Sequence, residues 1–108
     1  MDPITRLEHL LAQGQDNALL RFGLGQAYFK ADHAQQAVEH LRQAVAHNPD
    51  YSAAWQLLGQ ALTALQQPEQ SLQAYESGIA AAQRRGDVQA GKVMQVFSKR
   101  LRKAQMAE

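Results

Sequence analysis

The sequence predicts an all-α protein, an α-solenoid of about six helices stacked as antiparallel pairs. Three observations lead there. The chain repeats itself: "RFGLGQAYFKA" from Arg21 and "WQLLGQALTAL" from Trp55 share Leu-Gly-Gln-Ala, and the shift that carries Gly25 onto Gly59 aligns them throughout. A self-match at such a period marks a stacked repeat, in which each unit buries its apolar face against its neighbours. Ala, Gln and Leu dominate while aromatic and β-branched residues are few, which favours helix over strand. Helix start and stop residues divide the chain into helical stretches, and none of these alternates with the period of a strand.

The elements follow in order. Asp2 is placed to cap a first helix over 3–14, with Pro3 at its first position and Gly14 at its end. Its apolar stripe is Ile4, Leu7, Leu10 and Leu11. Under the same shift Leu7 falls on Leu41, so this helix reads as half of a repeat whose first helix is missing. Asp16 is expected to cap a helix over 17–30, and Asp32 the next, with Gln35 as its capping-box partner. His47-Asn48-Pro49-Asp50 stops that helix and restarts another, with Asp50 as the cap. Pro68 and Glu69 open the following helix, and Gly86-Asp87 separates it from a last one over 87–104. One inserted residue at that joint brings Ala90, Val93, Met94 and Phe97 onto core positions. The stripe Val93, Val96, Phe97 and Leu101 then covers the end of the stack.

Gly25 and Gly59, one repeat apart, sit inside expected helices, where glycine costs about 1 kcal/mol relative to alanine. The shift pairs Leu24 with Leu58, Gly25 with Gly59, Tyr28 with Leu62, Ala37 with Ser71, Leu41 with Tyr75 and Ala44 with Gly78. This pattern resembles the tetratricopeptide repeat, W-x2-L-G-x2-Y, then A-x3-F, then a small residue and P. Residues 18–51 carry Leu24, Gly25, Tyr28, Ala37, Leu41, Ala44 and Pro49; residues 52–85 carry Trp55, Leu58, Gly59, Leu62, Ser71, Tyr75 and Gly78. Arg21 stands where tryptophan belongs in the first repeat, and Gln83 where proline belongs in the second. The resemblance implies one domain over 1–108: a half-repeat helix at 3–14, repeats at 18–51 and 52–85, and a capping helix at 87–104. It also implies that Gly25 lies against Ala37 and Ala44, and Gly59 against Ser71 and Gly78, so that close packing offsets the cost of glycine.

Little in the chain suggests chemistry. Cysteine is absent, which removes disulfides, thiolate metal sites and a cysteine nucleophile. Ser52, Ser71, Ser77 and Ser98 lack an adjacent base and a third orienting group. Gly23 and Gly25 begin a G-x-G-x-x-G pattern, yet Tyr28 stands at the third glycine and no strand precedes it. His33, His40 and His47 recur every seven residues, about 10.5 Å apart along a helix, too far to share one metal ion. They read as an exposed polar face. The chain is therefore expected to be non-catalytic, with neither cofactor nor metal.

The resemblance implies a concave groove lined by the first helix of each pair. Its positions here are Leu19, Phe22, Gln26 and Phe29, then Ala53, Gln56, Gln60 and Thr63, and on the last helix Val88, Gln95, Ser98 and Lys99. Gln26, Gln60 and Gln95 would form a ladder whose amides pair with an extended peptide backbone. Leu19, Phe22 and Phe29 would hold an anchoring side chain. Repeats that capture the acidic C-termini of heat-shock chaperones present Lys and Asn in this groove, where Phe22 and Gln26 stand here. That mode is not expected.

The reading is a protein-interaction module for a peptide or protein segment. The alternative is a structural or self-associating assembly component, a homo-oligomer built through apolar residues at an end of the stack. A third reading comes from charge. Residues 1–83 hold four Lys/Arg against eight Asp/Glu, and residues 84–108 hold seven against two. This basic end (Arg84, Arg85, Lys92, Lys99, Arg100, Arg102 and Lys103) could meet nucleic acid, but no aromatic residues interleave with it to stack bases. No stretch approaches the roughly 18 consecutive apolar residues of a membrane span. The start, Met-Asp-Pro-Ile-Thr-Arg, has no secretory character, so the expected location is cytoplasmic.

Overall fold

Six helices follow one another in the computed structural model, which describes residues 2–107. They are α1 (Pro3–Ala12), α2 (Ala18–Lys30), α3 (Ala34–His47), α4 (Ser52–Ala64), α5 (Pro68–Arg85) and α6 (Val88–Met106), with no strand among the described residues. Each helix packs against the next, and α2 touches α4 as α4 touches α6. The result is an all-α helical repeat of 45 × 31 × 18 Å, with α2, α4 and α6 on one side.

Apolar residues at helical spacing build the core. Leu24, Leu41, Leu58, Leu62 and Met94 are fully buried, each such side chain contributing roughly 1.5–3 kcal/mol. One cluster joins Val38, Leu41 and Val45 of α3 to Leu58 and Leu62 of α4; another joins Tyr75 and Ala82 of α5 to Met94 of α6, and Trp55 packs against both. α1 differs from the rest, because it buries no residue completely.

The two glycines admit large residues rather than small ones. A Cβ on Gly25 would lie 2.5 Å from Cγ of Leu41, and one on Gly59 would overlap the Tyr75 ring. The big side chain of the second helix thus fills the notch in the first, while Ala37, Ala44 and Ser71 lie buried beside it. Gly78 serves the next interface: a Cβ there would collide with Met94 and with Cβ of Trp55.

Several caps differ from expectation. Asp2 caps α1 by accepting from the Thr5 amide at 2.9 Å, and Asp87 caps α6 through Ala90. α1 ends at Ala12, with Gly14 beyond it at φ 90°. Asn17, not Asp16, caps α2 by accepting from the Leu20 amide at 2.8 Å. Asp32 adopts φ 63° in the turn before α3, whose N-cap is His33 without a side-chain cap bond. Its counterpart in the second repeat, Gln66, has φ 59°. Tyr51 rather than Asp50 stands at the N-cap of α4.

Asp16 and Asp50 close the repeats instead. Asp16 takes two bonds from Arg21 (2.8 and 2.9 Å) and lies 3.0 Å from His47 Nε2 at the end of α3. Asp50 accepts from Arg84 at 2.6 Å at the end of α5. In each repeat a carboxylate ahead of the first helix therefore clasps the end of the second.

The last joint is also shifted. Ser52 opens α4 one full repeat after Ala18 opens α2, but Val88 opens α6 later than the same repeat would place it. The reason is that α5 has 18 residues where α3 has 14, an excess its shorter linker only partly takes back. Gly86 ends α5 at φ 70°, a conformation that favours glycine. Met94 reaches the core as expected, while Val96 remains 46% exposed and does not cover the end of the stack.

Candidate protein-binding concavity

A concavity of about 900 Å³ lies where α1 meets α2. Its floor is the α2 face carrying Gly23, Gln26, Ala27 and Lys30. Pro3, Ile4 and Leu7 of α1 form one wall, and Phe29 with Leu57 of α4 forms another. The helical repeat places Gly23, Gln26, Ala27 and Lys30 one above another. Gly23 faces Leu7, where an added Cβ would make an ordinary 3.6 Å contact.

The groove positions read from the sequence do not all meet here. Gln26 and Phe29 line the concavity. Leu19 stands 73% exposed, and Phe22, half-buried, leans on Tyr51 with ring centroids 4.9 Å apart. The expected apolar pocket of Leu19, Phe22 and Phe29 is thereby divided. Gln56 and Gln60 are half-buried on α4, and Ala53 is exposed. Thr63 bonds the Gly59 carbonyl at 2.9 Å and the Ser71 hydroxyl at 2.7 Å. α1 walls the concavity without closing it.

Gln95, Ser98 and Lys99 lie elsewhere, in a crevice of about 450 Å³ with Ile79, Lys92, Val96 and Arg102. The longer α5 rotates the register, so that Val96, not Gln95, answers Gln60 when α6 is aligned on α4 from their first residues. Val88 is exposed beside a neighbouring hollow. Within the basic end, Arg84 and Arg102 are paired with Asp50 and Glu76.

A polar network behind the concavity has no counterpart in the sequence reading. Tyr28 donates to Glu8 of α1 at 2.8 Å and stacks on His40 of α3, the rings 5.4 Å apart and 7° from parallel. His40 also lies 3.4 Å from Glu8 and 3.1 Å from Arg21. Burial holds its imidazole below the usual histidine pKa, outweighing Glu8. The hydrogen bonds from Arg21 hold the Asp16 carboxyl well below the usual carboxylate range. His40 is thus not part of an exposed polar face. The seven-residue spacing carries no sign of these partners: those of His40 come from α1 and α2, and Asp16, between those helices, meets His47.

Stacked antiparallel helix pairs with an open concavity at one end define a helical-repeat scaffold. Residues 29–93 match the family model described as Tetratricopeptide repeat. Over 101 residues the chain is 50% identical to TPR repeat-containing protein PA0015 of Pseudomonas aeruginosa, spanning 94% of this chain and 96% of that one. The solution structure of protein BPP2914 from Bordetella parapertussis superposes with a TM-score of 0.85 at 45% identity, over 100% of this chain and 94% of that one. The Sgt2 TPR domain from Aspergillus fumigatus has a TM-score of 0.82 at 25% identity, over 97% and 69%. The chain belongs to the tetratricopeptide repeat family. Domains of this family are generally protein-interaction modules and are typically non-catalytic. No helix among the described residues is long and apolar enough to cross a membrane.

Proposed function

We propose that this chain is a non-catalytic module that holds an extended peptide or protein segment along the faces of α2 and α4. The observation that carries this reading is the concavity at α1 and α2, where Ile4, Leu7, Phe29 and Leu57 offer an apolar seat and Gln26 stands exposed beside them. An apolar side chain of the segment anchors against Phe29, and the amides of Gln26, Gln56 and Gln60 pair with its backbone. Gln95 and Lys99 belong to a separate crevice and are left out of this contact. Affinity is modest, because two repeats offer a limited surface.

Displayed random peptides selected on the wild-type protein would test this. Selected sequences would share an apolar anchor, and their synthetic forms would lose about tenfold or more in affinity for Phe29→Ala and Gln60→Arg at both low and high salt. Peptides that bind these variants as well as the wild type would refute the groove. Selection of acidic peptides whose binding disappears with salt would move the contact to the basic α6.

A further inference from the structure

We propose that the chain associates head to tail with copies of itself, α6 of one copy and α1 of the next joining into a complete repeat. This rests on the reading of the chain as a protein-binding module and names a second copy as an occupant of one end of its groove.

The two ends are complementary halves. By register α1 is the second helix of a pair: Leu7 corresponds to Leu41, which packs into the notch at Gly25. Among the described residues α1 has no first helix of its own, and it alone among the helices buries no residue. The concavity beside it is the vacant seat. On α4 the positions equivalent to Gly23 and Ala27 are Leu57, half-buried, and Ala61, fully buried, on the helix that touches α2.

At the other end α6 packs on α5 and α4 as a first helix does, and no second helix follows it within the described residues. Its unfilled flank is the crevice of Ile79, Gln95 and Ser98. Ser98 is only 2% exposed there, and its hydroxyl has no hydrogen-bond partner among the described residues.

One contact therefore fills both vacancies: α6 enters the seat beside α1, and α1 enters the crevice beside α6. Asp2 and Lys30 line the seat and Lys92 and Lys99 rim the crevice, so Asp2 can face a lysine across the contact, while Glu8, Asp16 and Arg102 are already held by Tyr28, Arg21 and Glu76. Because the contact joins unlike surfaces, it propagates instead of stopping at a two-fold dimer. Gln95 stands where complete repeats leave a notch, so the joint is looser than those inside the chain.

Sedimentation between about 10 μM and 1 mM tests the inference, since a modest interface dissociates in that range. The wild type is expected to rise in mass from the 12.0 kDa monomer without a plateau at the dimer. Ile4→Lys blocks the N-terminal seat and Gln95→Arg the C-terminal crevice; both are read alongside circular dichroism to verify helix content. Each variant alone stays monomeric, and an equimolar mixture forms a dimer containing one of each, because one unblocked end remains on either partner. Gln60→Arg leaves self-association intact while removing peptide binding, which separates this inference from the groove reading. A wild type that stays monomeric throughout overturns it. So does association that survives in both variants, or a mixture of folded variants that does not pair.

Discussion

Gly23 and Gly25 lie close together on α2, and replacing each by alanine should move stability in opposite directions. Alanine gains about 1 kcal/mol in a helix interior at either site. At Gly23 the new methyl meets Leu7 at 3.6 Å, an ordinary contact, so Gly23→Ala stabilises by about 0.5–1 kcal/mol. At Gly25 it would arrive 2.5 Å from Cγ of Leu41, well inside the roughly 3.5–4.0 Å of a relaxed carbon contact. Leu41 is fully buried and cannot swing into solvent. Overpacking of this kind costs about 1–3 kcal/mol. After the helix gain, Gly25→Ala is expected to destabilise by about 1 kcal/mol. The variants would then differ by roughly 10 °C in melting temperature, at about 4–8 °C per kcal/mol for a domain of this size. Thermal and urea unfolding followed by circular dichroism would show it. Gly25→Ala as stable as Gly23→Ala would refute the idea that the notch exists to receive Leu41.

Other positions give equally direct tests. Gln66 has φ 59°, a region that costs an L-residue roughly 1–2 kcal/mol; Gln66→Gly should raise the urea midpoint, and Asp32→Gly should raise it less because aspartate tolerates that conformation better. Ser71 is fully buried and its hydroxyl donates to the Gly59 carbonyl at 2.6 Å, so Ser71→Ala should cost about 1 kcal/mol in chemical denaturation. The folded-state pKa of His40 lies below its ordinary 6.5, so the unfolded chain takes up the proton first as pH falls. Its stabilising contribution is therefore complete above about 6.5 and declines below it. Urea midpoints from pH 8 to pH 5 should fall, and more shallowly in His40→Gln; equal slopes would show that His40, facing Glu8, Arg21 and Tyr28, does not carry the effect.

The repeat supplies a scaffold whose first helices lie side by side, and the concavity arises where, among the described residues, no such helix stands beside α1. This is why its walls are apolar and partly exposed. In a longer stack the same residues would be covered. Under the proposed function, the half-repeat at α1 leaves core-type residues open to a partner.

Much of the architecture was determined by the sequence alone. The repeat period, the six helices and the buried positions of Leu24, Leu41, Leu58, Tyr75 and Met94 follow from local periodicity and from the volume of each side chain. Gly25 and Gly59 announced a close approach, although not that a leucine and a tyrosine would fill it. What only the tertiary structure decided concerns partners across helices. Asp16 and Asp50 looked like caps, yet the ends of α3 and α5 bring His47 and Arg84 to them, and a carboxylate takes the stronger partner within reach. Gln26 lines the concavity beside α1 and Gln60 is half-buried on α4, whereas the longer α5 carries Gln95 into another crevice. The net shift of α6 is two residues, where the sequence signalled one inserted residue at the Gly86-Asp87 joint, because helix length and linker length trade against each other only when the surfaces pack. Periodicity is written residue by residue; register between helices is settled only when their surfaces meet.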